Sequence, residues 1–374
     1  MTTYIALSAG HAMAQEFEPE RLKNGVSLPA DMPRVYVGDF SIASLPDSRV
    51  HILDGRNGKY VGVIDSGMGG QFAISPDRKR VYIATTYMTR HTHGERHDTM
   101  EVYDADSLRM TGDGALPNKK AQAAFMQNLA LTSHDGRYLF VQNATPASSI
   151  TVLDVQQDNK VVAEVPTPGC YGIYPSQTEA LRISTLCGDG KLATVTLDAV
   201  GKVTERRVSD KFFDATSDPV YVPGPTFEQR YYFLSFHGKL HRVDLRGATP
   251  VVEQSLSFVT DADRKQGWRP GGYQAFTIDE RRKRVYVGMH PKGQEGTHKF
   301  PAKEIWSVDL GTGKRLARTK SRNAIALQVA KSGPDHLYAL DGVTNQVVGY
   351  ALASMRQVFV SDPVGSAPLQ LEAP

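Results

Sequence analysis

The run Val50-His51-Ile52-Leu53-Asp54 is the strongest indication of the fold, because it is a short apolar strand ending in aspartate that recurs along the chain. Six further runs share this pattern, and only the last of them lacks the aspartate. They are MEVYD at 100–104, ITVLD at 150–154, ATVTLD at 193–198, LHRVD at 240–244, IWSVD at 305–309 and VVGY at 347–350. Successive runs are 50, 50, 44, 46, 65 and 41 residues apart, which is close to the spacing of propeller blades.

The residues between these runs complete a unit of four strands. A turn rich in glycine, asparagine and lysine follows the first run at 55–59, and an outgoing strand follows at 60–64. A Ser-Pro-Asp turn at 75–77 then leads into a further strand at 80–84, and such turns between apolar runs indicate hairpins. One small sheet cannot cover both of its faces, so each unit must pack on two neighbours in a closed ring. The seven runs therefore predict an all-β, seven-bladed β-propeller with four-stranded antiparallel blades.

We expect a single propeller domain over residues 16–374. A strand-like run at 34–37 precedes the first repeated run, so we expect the last blade, near residues 358–360, to pair with this N-terminal strand and close the ring. Helical turns are expected only at 121–125 and 261–265. Two insertions interrupt the repeat, at about 86–98 and 289–303, and long loops on a rigid scaffold are where binding tends to occur.

The first fifteen residues have the features of a processed targeting segment. Residues 4–14 are mildly apolar and end in Ala12-Met13-Ala14, which resembles the cleavage end of a secretory signal. A positively charged start is missing. We interpret residues 1–15 as the remnant of a signal peptide, with a disordered N-terminus as the alternative, and we expect an exported protein.

Composition excludes two classes of function. The chain has 374 residues, 40% hydrophobic and 22% charged, with a formal net charge of +3. Lysine and arginine are interspersed with acidic residues, which argues against a nucleic-acid-binding footprint. The sequence has no apolar stretch of 18 residues or more, so no transmembrane helix is predicted.

The sequence has only two cysteines, Cys170 and Cys187. Two are too few for a cysteine-based zinc site. In an exported protein an isolated pair is typical of one disulfide, and two buried free thiols are the alternative.

Candidate metal and cofactor motifs are weak. His91, His93 and His97 fall within seven residues, and imidazoles bind zinc or copper. Because Arg90 and Arg96 flank them in a polar loop, we expect solvated histidines and no metal site. Apart from these, the chain shows no catalytic constellation.

Two other motifs have plain structural interpretations. Trp268 and Trp306 are the only tryptophans, too few for the tryptophan-rich repeat of propellers that hold pyrroloquinoline quinone, and they are expected in packing. The glycine-rich segment 66–70 is not followed by a helix, so it is interpreted as a blade turn.

Several stretches resemble the heavy (α) subunit of tryptophan tryptophylquinone amine dehydrogenases, and the resemblance covers about residues 33–350. The most specific stretch is His290-Pro291, followed by EGTHKFPA at 295–302 and EIW at 304–306. It is more similar to the aromatic-amine (aralkylamine) branch than to the methylamine branch. The other matching stretches are 48–54, 85–87, 94–96, Asp98, 101–106, 142–150, 187–190 and 267–273.

This resemblance implies a specific assembly. Family members are periplasmic α2β2 heterotetramers, so a small β subunit and a second copy of this chain are the expected partners. The tryptophan tryptophylquinone cofactor and the catalytic base belong to the small subunit, and this chain is expected to hold neither catalytic nor cofactor-binding residues. The enzyme oxidises a primary amine to an aldehyde and ammonia and passes electrons to a cupredoxin of the azurin or amicyanin type.

The resemblance also implies site residues. In the family, the heavy chain contributes an aromatic residue of its first blade to the substrate channel. When the sequence is aligned with this pattern, that position falls at Ile42 or Ala43, and Phe40 is displaced from it by about one step of the side-chain alternation of a strand. Phe40, Ile42 and Ala43 are thus the expected channel and subunit-interface residues. Cys170 and Cys187 fit the family's heavy-chain disulfide.

Two alternatives remain open from the residues themselves. A stand-alone lactonase-type hydrolase needs acidic or histidine side chains that converge on the central channel, for which Asp39, His51 and His237 are available. A propeller that binds a partner without any enzymatic role is the other alternative.

Overall fold

The structure, a computed structural model, describes residues 27–123 and 125–374. The predicted signal remnant at 1–15 lies outside the described residues. The described chain is built from strands, with one short α-helix, α1 (Asp261–Lys265), and 3₁₀ turns at Ile42–Asp47 and Thr297–Lys299.

Most strands form four-stranded antiparallel sheets that follow one another along the chain. The first contains β1 (Arg34–Asp39), β2 (Arg49–Asp54), β3 (Tyr60–Asp65) and the C-terminal β28 (Pro368–Glu372). The second contains β4 (Gln71–Ile74), β5 (Arg80–Arg90), β6 (His93–Asp104) and β7 (Met110–Ala115). The third contains β8 (Ala130–Thr132), β9 (Tyr138–Asn143), β10 (Ser149–Asp154) and β11 (Lys160–Pro166).

The remaining strands form two further four-stranded sheets and one larger sheet. The fourth sheet contains β12 (Cys170–Pro175), β13 (Arg182–Cys187), β14 (Leu192–Leu197) and β15 (Val203–Val208). The fifth contains β16 (Thr226–Phe227), β17 (Arg230–Leu234), β18 (Lys239–Asp244) and β19 (Val251–Ser257). The eight-stranded sheet contains β20 (Arg269–Pro270), β21 (Phe276–Asp279), β22 (Arg284–His290), β23 (Ala302–Asp309), β24 (Arg315–Val329), β25 (His336–Asp341), β26 (Gln346–Ala351) and β27 (Arg356–Pro363).

The all-β propeller is confirmed, but the count of seven separate four-stranded blades is wrong. The described strands form five four-stranded sheets and one of eight strands. The reason is β24, a 15-residue strand whose first part pairs with β23 and whose last part pairs with β25, so hydrogen bonding continues without a break. Each of the seven repeated runs nevertheless lies in a strand of its own, in β2, β6, β10, β14, β18, β23 and β26, although Asp198 of the fourth run directly follows β14.

The repeated aspartates have a structural role at the end of their strands. The Oδ1 of Asp54 accepts a hydrogen bond from the backbone N–H of Arg56 at 2.9 Å, and Asp154 accepts one from Gln156 at 3.0 Å. Such side-chain bonds to the backbone two residues on favour a tight turn. The prediction that hairpin turns follow the repeated runs is confirmed.

Ring closure uses a different strand from the one predicted. Residues 358–360 lie in β27 and pair with β26, so the expectation for them is wrong. The chain instead continues through 364–367 into β28, which pairs with β1 in a register that places Leu371 opposite Val37. The two ends of the described chain are thereby joined in one sheet.

One of the two predicted helical turns is present. Helix α1 begins after Thr260, whose hydroxyl accepts the backbone N–H of Asp263 in a capping box. The described residues of 121–125 are not helical. The N–H of Ala121 donates to the carbonyl of Gln142 at 2.9 Å, and Phe125 is fully buried edge-on against Phe72, with ring centroids 5.9 Å apart. No helix among the described residues is long and apolar enough to span a membrane.

The loops divide into two sets. Because antiparallel strands alternate in direction, the link between the second and third strands of a sheet leaves at the same end as the link to the next sheet. We call this end of the strands the loop face and the other end the turn face. The turn face contains the turns at 75–79, 133–137, 198–202 and 280–283. The loop face contains segments 40–48, 66–70, 86–97, 116–129, 291–301 and 364–367.

A disulfide joins Cys170 to Cys187, as predicted, across the paired strands β12 and β13. Replacing both cysteines by alanine is expected to lower the free energy of unfolding by roughly 3 kcal/mol, because the bridge closes a loop of 17 residues in sequence separation and restricts the unfolded chain. Urea denaturation measures the change. Reductant should destabilise the wild type and leave the double variant unaffected; equal stability of the two proteins without reductant contradicts the prediction.

Candidate functional site

Asp39 fixes the first segment of the loop face. It lies at the end of β1, and its carboxylate accepts backbone N–H groups of Ser41 at 3.1 Å, Ser366 at 3.0 Å and Ala367 at 2.7 Å. His51 Nε2 lies 3.5 Å from Asp39 Oδ2. Burial opposes ionisation, but these hydrogen bonds together lower the pKa of Asp39. The anchored carboxylate ties segment 40–48 to the ring-closing segment 364–367.

The predicted interface residues lie directly after this anchor. Ser41 adopts a left-handed conformation, with φ 48° and ψ 55°, and turns the chain into the 3₁₀ segment. Ile42 is 62% exposed and Leu45 is 42% exposed, whereas Phe40 is half-buried against the core. Ala43 is also exposed. The segment therefore presents aliphatic side chains to solvent on a fixed turn, whereas the Phe40 ring packs against the core.

Hydrogen bonds between Ser48 and the neighbouring turn at 66–70 hold this segment in place. Ser48 Oγ donates to the carbonyl of Phe40 at 3.1 Å, and it accepts the N–H of Gly69 at 3.4 Å. The Ser48 N–H bonds the carbonyl of Gly67 at 2.9 Å. The predicted blade turn at 66–70 is confirmed, and it serves as the support of segment 40–48.

A buried lysine lies under the same loops. Lys120 is almost fully buried, and its Nζ donates to the carbonyls of Gly69 at 2.8 Å and Ala121 at 3.3 Å. Its own N–H donates to Asp98, whose buried carboxylate also pairs with Arg96 at 2.7 Å. Burial lowers the pKa of Lys120 to about 7, although the negative charge of Asp98 opposes this shift. The burial of Lys120 could not be predicted, because nothing in the neighbouring sequence marks this lysine as buried.

The depressed pKa of Lys120 predicts pH-dependent stability. The unfolded chain keeps this lysine protonated up to about pH 10.4, whereas the folded protein releases the proton near pH 7. Between these values the unfolded state binds more protons, so the free energy of unfolding should rise with pH. We expect a contribution of up to about 1.4 kcal/mol per pH unit, measured by urea denaturation between pH 7 and 10. Lys120→Met should lack this contribution; an unchanged slope contradicts the prediction.

The first insertion is a hairpin arm, so the expectation of an irregular loop is wrong. Strands β5 and β6 continue pairing beyond the sheet, with Tyr87 opposite His97 and Arg90 opposite His93. His91, His93 and His97 are exposed, in agreement with the prediction of solvated histidines. Within residues 27–123 and 125–374, no group of three histidine, cysteine or acidic side chains is arranged to hold a metal ion.

The second insertion packs beside a buried histidine. His290 ends β22, and its ring lies 5.7 Å from that of Phe300, which is largely exposed. The hydroxyl of Tyr221 donates to the carbonyls of Pro270 and His298 at 2.7 and 3.2 Å. Phe300 thus adds a further exposed apolar residue to those that segment 40–48 presents on the loop face.

The residues proposed for a hydrolase do not form one cluster. Asp39 and His51 are neighbours, but they lie in β1 and β2, outside the innermost strand β28. His237 contacts Asp218, at 3.9 Å, and the ring of Phe236. The geometry therefore supplies no joint site for the three side chains.

The two tryptophans are core residues, as predicted. Trp268 and Trp306 are buried with ring centroids 5.3 Å apart, and the guanidinium of Arg315 lies 4.3 Å from the Trp306 ring. Each indole N–H donates to a side-chain oxygen, of Gln266 at 3.0 Å and of Glu304 at 2.7 Å. Their contacts are those of packing and cation–π stabilisation.

The fold and the loop face together define an all-β propeller protein whose loop face presents exposed apolar side chains on loops that are held by hydrogen bonds. Within this class, the family model of the methylamine dehydrogenase heavy chain matches residues 31–371. The chain therefore belongs to the methylamine dehydrogenase heavy chain family, and it is a heavy subunit of an amine dehydrogenase.

Curated relatives agree with this assignment. The chain is 25% identical to the methylamine dehydrogenase heavy chain of Methylophilus methylotrophus, over 91% of this chain and 83% of that one. It is 26% identical to that of Methylobacillus flagellatus, over 91% of this chain and 84% of that one.

Solved structures show the fold alone. A periplasmic gluconolactonase of Pseudomonas aeruginosa superimposes with a TM-score of 0.63 at 14% identity, over 91% of this chain and 98% of that one. The dihydro-heme d1 dehydrogenase NirN superimposes with a TM-score of 0.57 at 14% identity, over 95% of this chain and 78% of that one. At such identities the propeller is shared and the activity is not transferred.

Proposed function

We propose that this chain is the scaffold subunit of a quinoprotein amine dehydrogenase that oxidises primary amines, of the aralkylamine class, to an aldehyde and ammonia. The family match over residues 31–371 carries this proposal. The loop face supports it, because fixed apolar side chains are what a docking partner needs. A preorganised surface loses little conformational entropy when it binds.

In this proposal the cofactor is tryptophan tryptophylquinone and belongs to a small partner subunit. The quinone supplies the two-electron acceptor for amine oxidation. The indole N–H groups of this chain's two tryptophans are bonded to Gln266 and Glu304. This arrangement is consistent with a packing role for both tryptophans and with a cofactor that belongs to the partner subunit. This chain's contribution is to bind the partner and to shield the reacting centre from water.

Segment 40–48 is the proposed contact with that partner. Ile42 and Ala43 would line the entrance to the substrate channel, and Phe40 would support them from the core side. Isoleucine and alanine occupy less volume than an aromatic residue at the same position. We therefore expect a wider channel entrance than an aromatic residue would leave. Phe300, on segment 291–301, would extend the same contact.

The wider assembly is also a proposal. We expect a periplasmic α2β2 heterotetramer with a second copy of this chain, and a cupredoxin as electron acceptor. The disulfide between Cys170 and Cys187 is consistent with an oxidising compartment. For the fold, we propose that the eight-stranded sheet acts as two blades joined through β24, since two of the seven repeated runs lie in it.

Co-expression tests the proposed function. The chain would be produced with a small cysteine-rich protein encoded beside it, exported, and purified through a tag on the heavy chain. We expect a complex with visible quinone absorbance that oxidises phenylethylamine faster than methylamine. Faster methylamine oxidation would reject the aralkylamine assignment alone. Absence of a complex, or lactone hydrolysis by the isolated chain, would reject the subunit role.

A further inference from the structure

A second candidate site lies on the propeller axis, away from the loop face. The innermost strands enclose a cavity of about 650 Å³, whose mouth is formed by turns of the turn face. Its wall combines apolar side chains, among them Phe72, Leu131 and Ile278, with amides and the carboxyl groups of Glu280 and Glu372. The volume is in the range of small-molecule sites.

A network of amides supports the cavity wall at Gln127 and Gln328. Gln127 Nε2 donates to Glu372 Oε1 at 2.8 Å and contacts Gln328 Oε1 at 3.2 Å. Gln274 Nε2 donates to the same Gln328 oxygen at 2.9 Å, and its Oε1 accepts the N–H of Leu371 at 3.0 Å. Because these residues come from distant parts of the chain, the network holds the wall in a fixed shape.

Glu372 is the unusual member of this wall. Its Oε1 accepts from Gln127 and from Gln370 Nε2, the latter at 3.1 Å. Its Oε2 accepts no hydrogen bond from the described residues, and its carboxylate has no cationic group within 4 Å among them. Burial raises its pKa, although Lys331 opposes this shift. Glu372 is half-buried in the wall, and a partly desolvated carboxylate without a counterion is unfavourable.

The other charged groups lie at the mouth of the cavity. Arg78, His134, Glu280 and Lys331 are in exposed turns, where water screens their charge. Of the charged side chains in the described lining, Glu372 is the one on the innermost strand. An anionic ligand that reached this depth would meet a like charge, and a neutral ligand would leave the carboxylate uncompensated.

We infer that this cavity binds a small organic ammonium ion, with Glu372 as its counterion. The ammonium group donates a hydrogen bond to the open Oε2, and such charge-assisted bonds are the strong ones. The alkyl group contacts Phe72, Leu131 and Ile278. The inference does not rest on the proposed function, because the isolated heavy chain contains the whole cavity.

Calorimetric titration of the full chain with butylammonium chloride tests the inference. Potassium chloride and 1-butanol serve as the inorganic-cation and neutral comparisons at matched ionic strength. We expect saturable binding of butylammonium at one site per chain, at least tenfold tighter than that of either comparison. Glu372→Gln should weaken it at least tenfold while still accepting the amides of Gln127 and Gln370, and the mouth variant Glu280→Gln should change it less than twofold.

Three results overturn the inference: no saturable binding of butylammonium, butanol or potassium binding equally well, or equal affinity in Glu372→Gln. If Glu372→Gln fails to fold, the three-ligand comparison on the wild type decides the question. Failure of this site would leave the amine dehydrogenase assignment untouched, since no small subunit enters the experiment.

Discussion

Replacing Ile42 by aspartate is expected to weaken association with the small subunit at least about 100-fold and leave the heavy chain folded. The Ile42 side chain is 62% exposed on a fixed turn, so docking would bury it. The variant loses the gain from apolar burial and instead buries a carboxylate without a partner. Together these two costs exceed about 3 kcal/mol, which corresponds to a loss of affinity of more than about 100-fold. Surface plasmon resonance with immobilised small subunit measures the change.

A matched control separates docking from general surface effects. Val200 is 80% exposed in the turn between β14 and β15, on the turn face. Val200→Asp introduces the same charge away from the proposed contact and should bind like the wild type. Both variants should unfold at the wild-type urea concentration. Wild-type affinity of Ile42→Asp would show that segment 40–48 is not part of the interface.

The second large effect concerns Asp39. Asp39→Ala is expected to lower the free energy of unfolding by about 4 kcal/mol, because three backbone N–H groups in the ring-closing contact lose their acceptor. Urea denaturation measures this loss, and proteolysis near segment 40–48 should accelerate. Asp261→Ala, at an exposed carboxylate in the first turn of α1, should change stability by less than about 0.5 kcal/mol.

The same carboxylate predicts the direction of a pH effect. The pKa of Asp39 is lowered in the folded protein, so its stabilisation is present above the unfolded pKa of about 3.9. It is lost as the pH falls through the lower folded value. The stability difference between wild type and Asp39→Ala should therefore shrink below about pH 4. A difference that stays constant through this range would show that the charge of Asp39 is not what matters.

The candidate site was only partly accessible from the sequence. The resemblance led to Ile42 and Ala43, and both are exposed on the loop face. It did not reveal that Asp39 and Ser48 hold the turn, since their partners lie at 366–367 and 67–69. The hairpin arm at 86–97 was missed, because its polar, histidine-rich sequence lacks the apolar alternation that indicates a strand.

The repeated strand and its aspartate-capped turn follow from the sequence alone, because these depend on alternation and on bonds between neighbours such as Asp54 and Arg56. The sequence also shows which two cysteines are available to pair. The sequence does not show that β28 closes the ring, that β24 joins two sets of strands, that Lys120 is buried or that Glu372 lines the central cavity. These features depend on residues far apart in the chain, whose proximity is set by the packing of whole sheets and leaves no local pattern in the sequence.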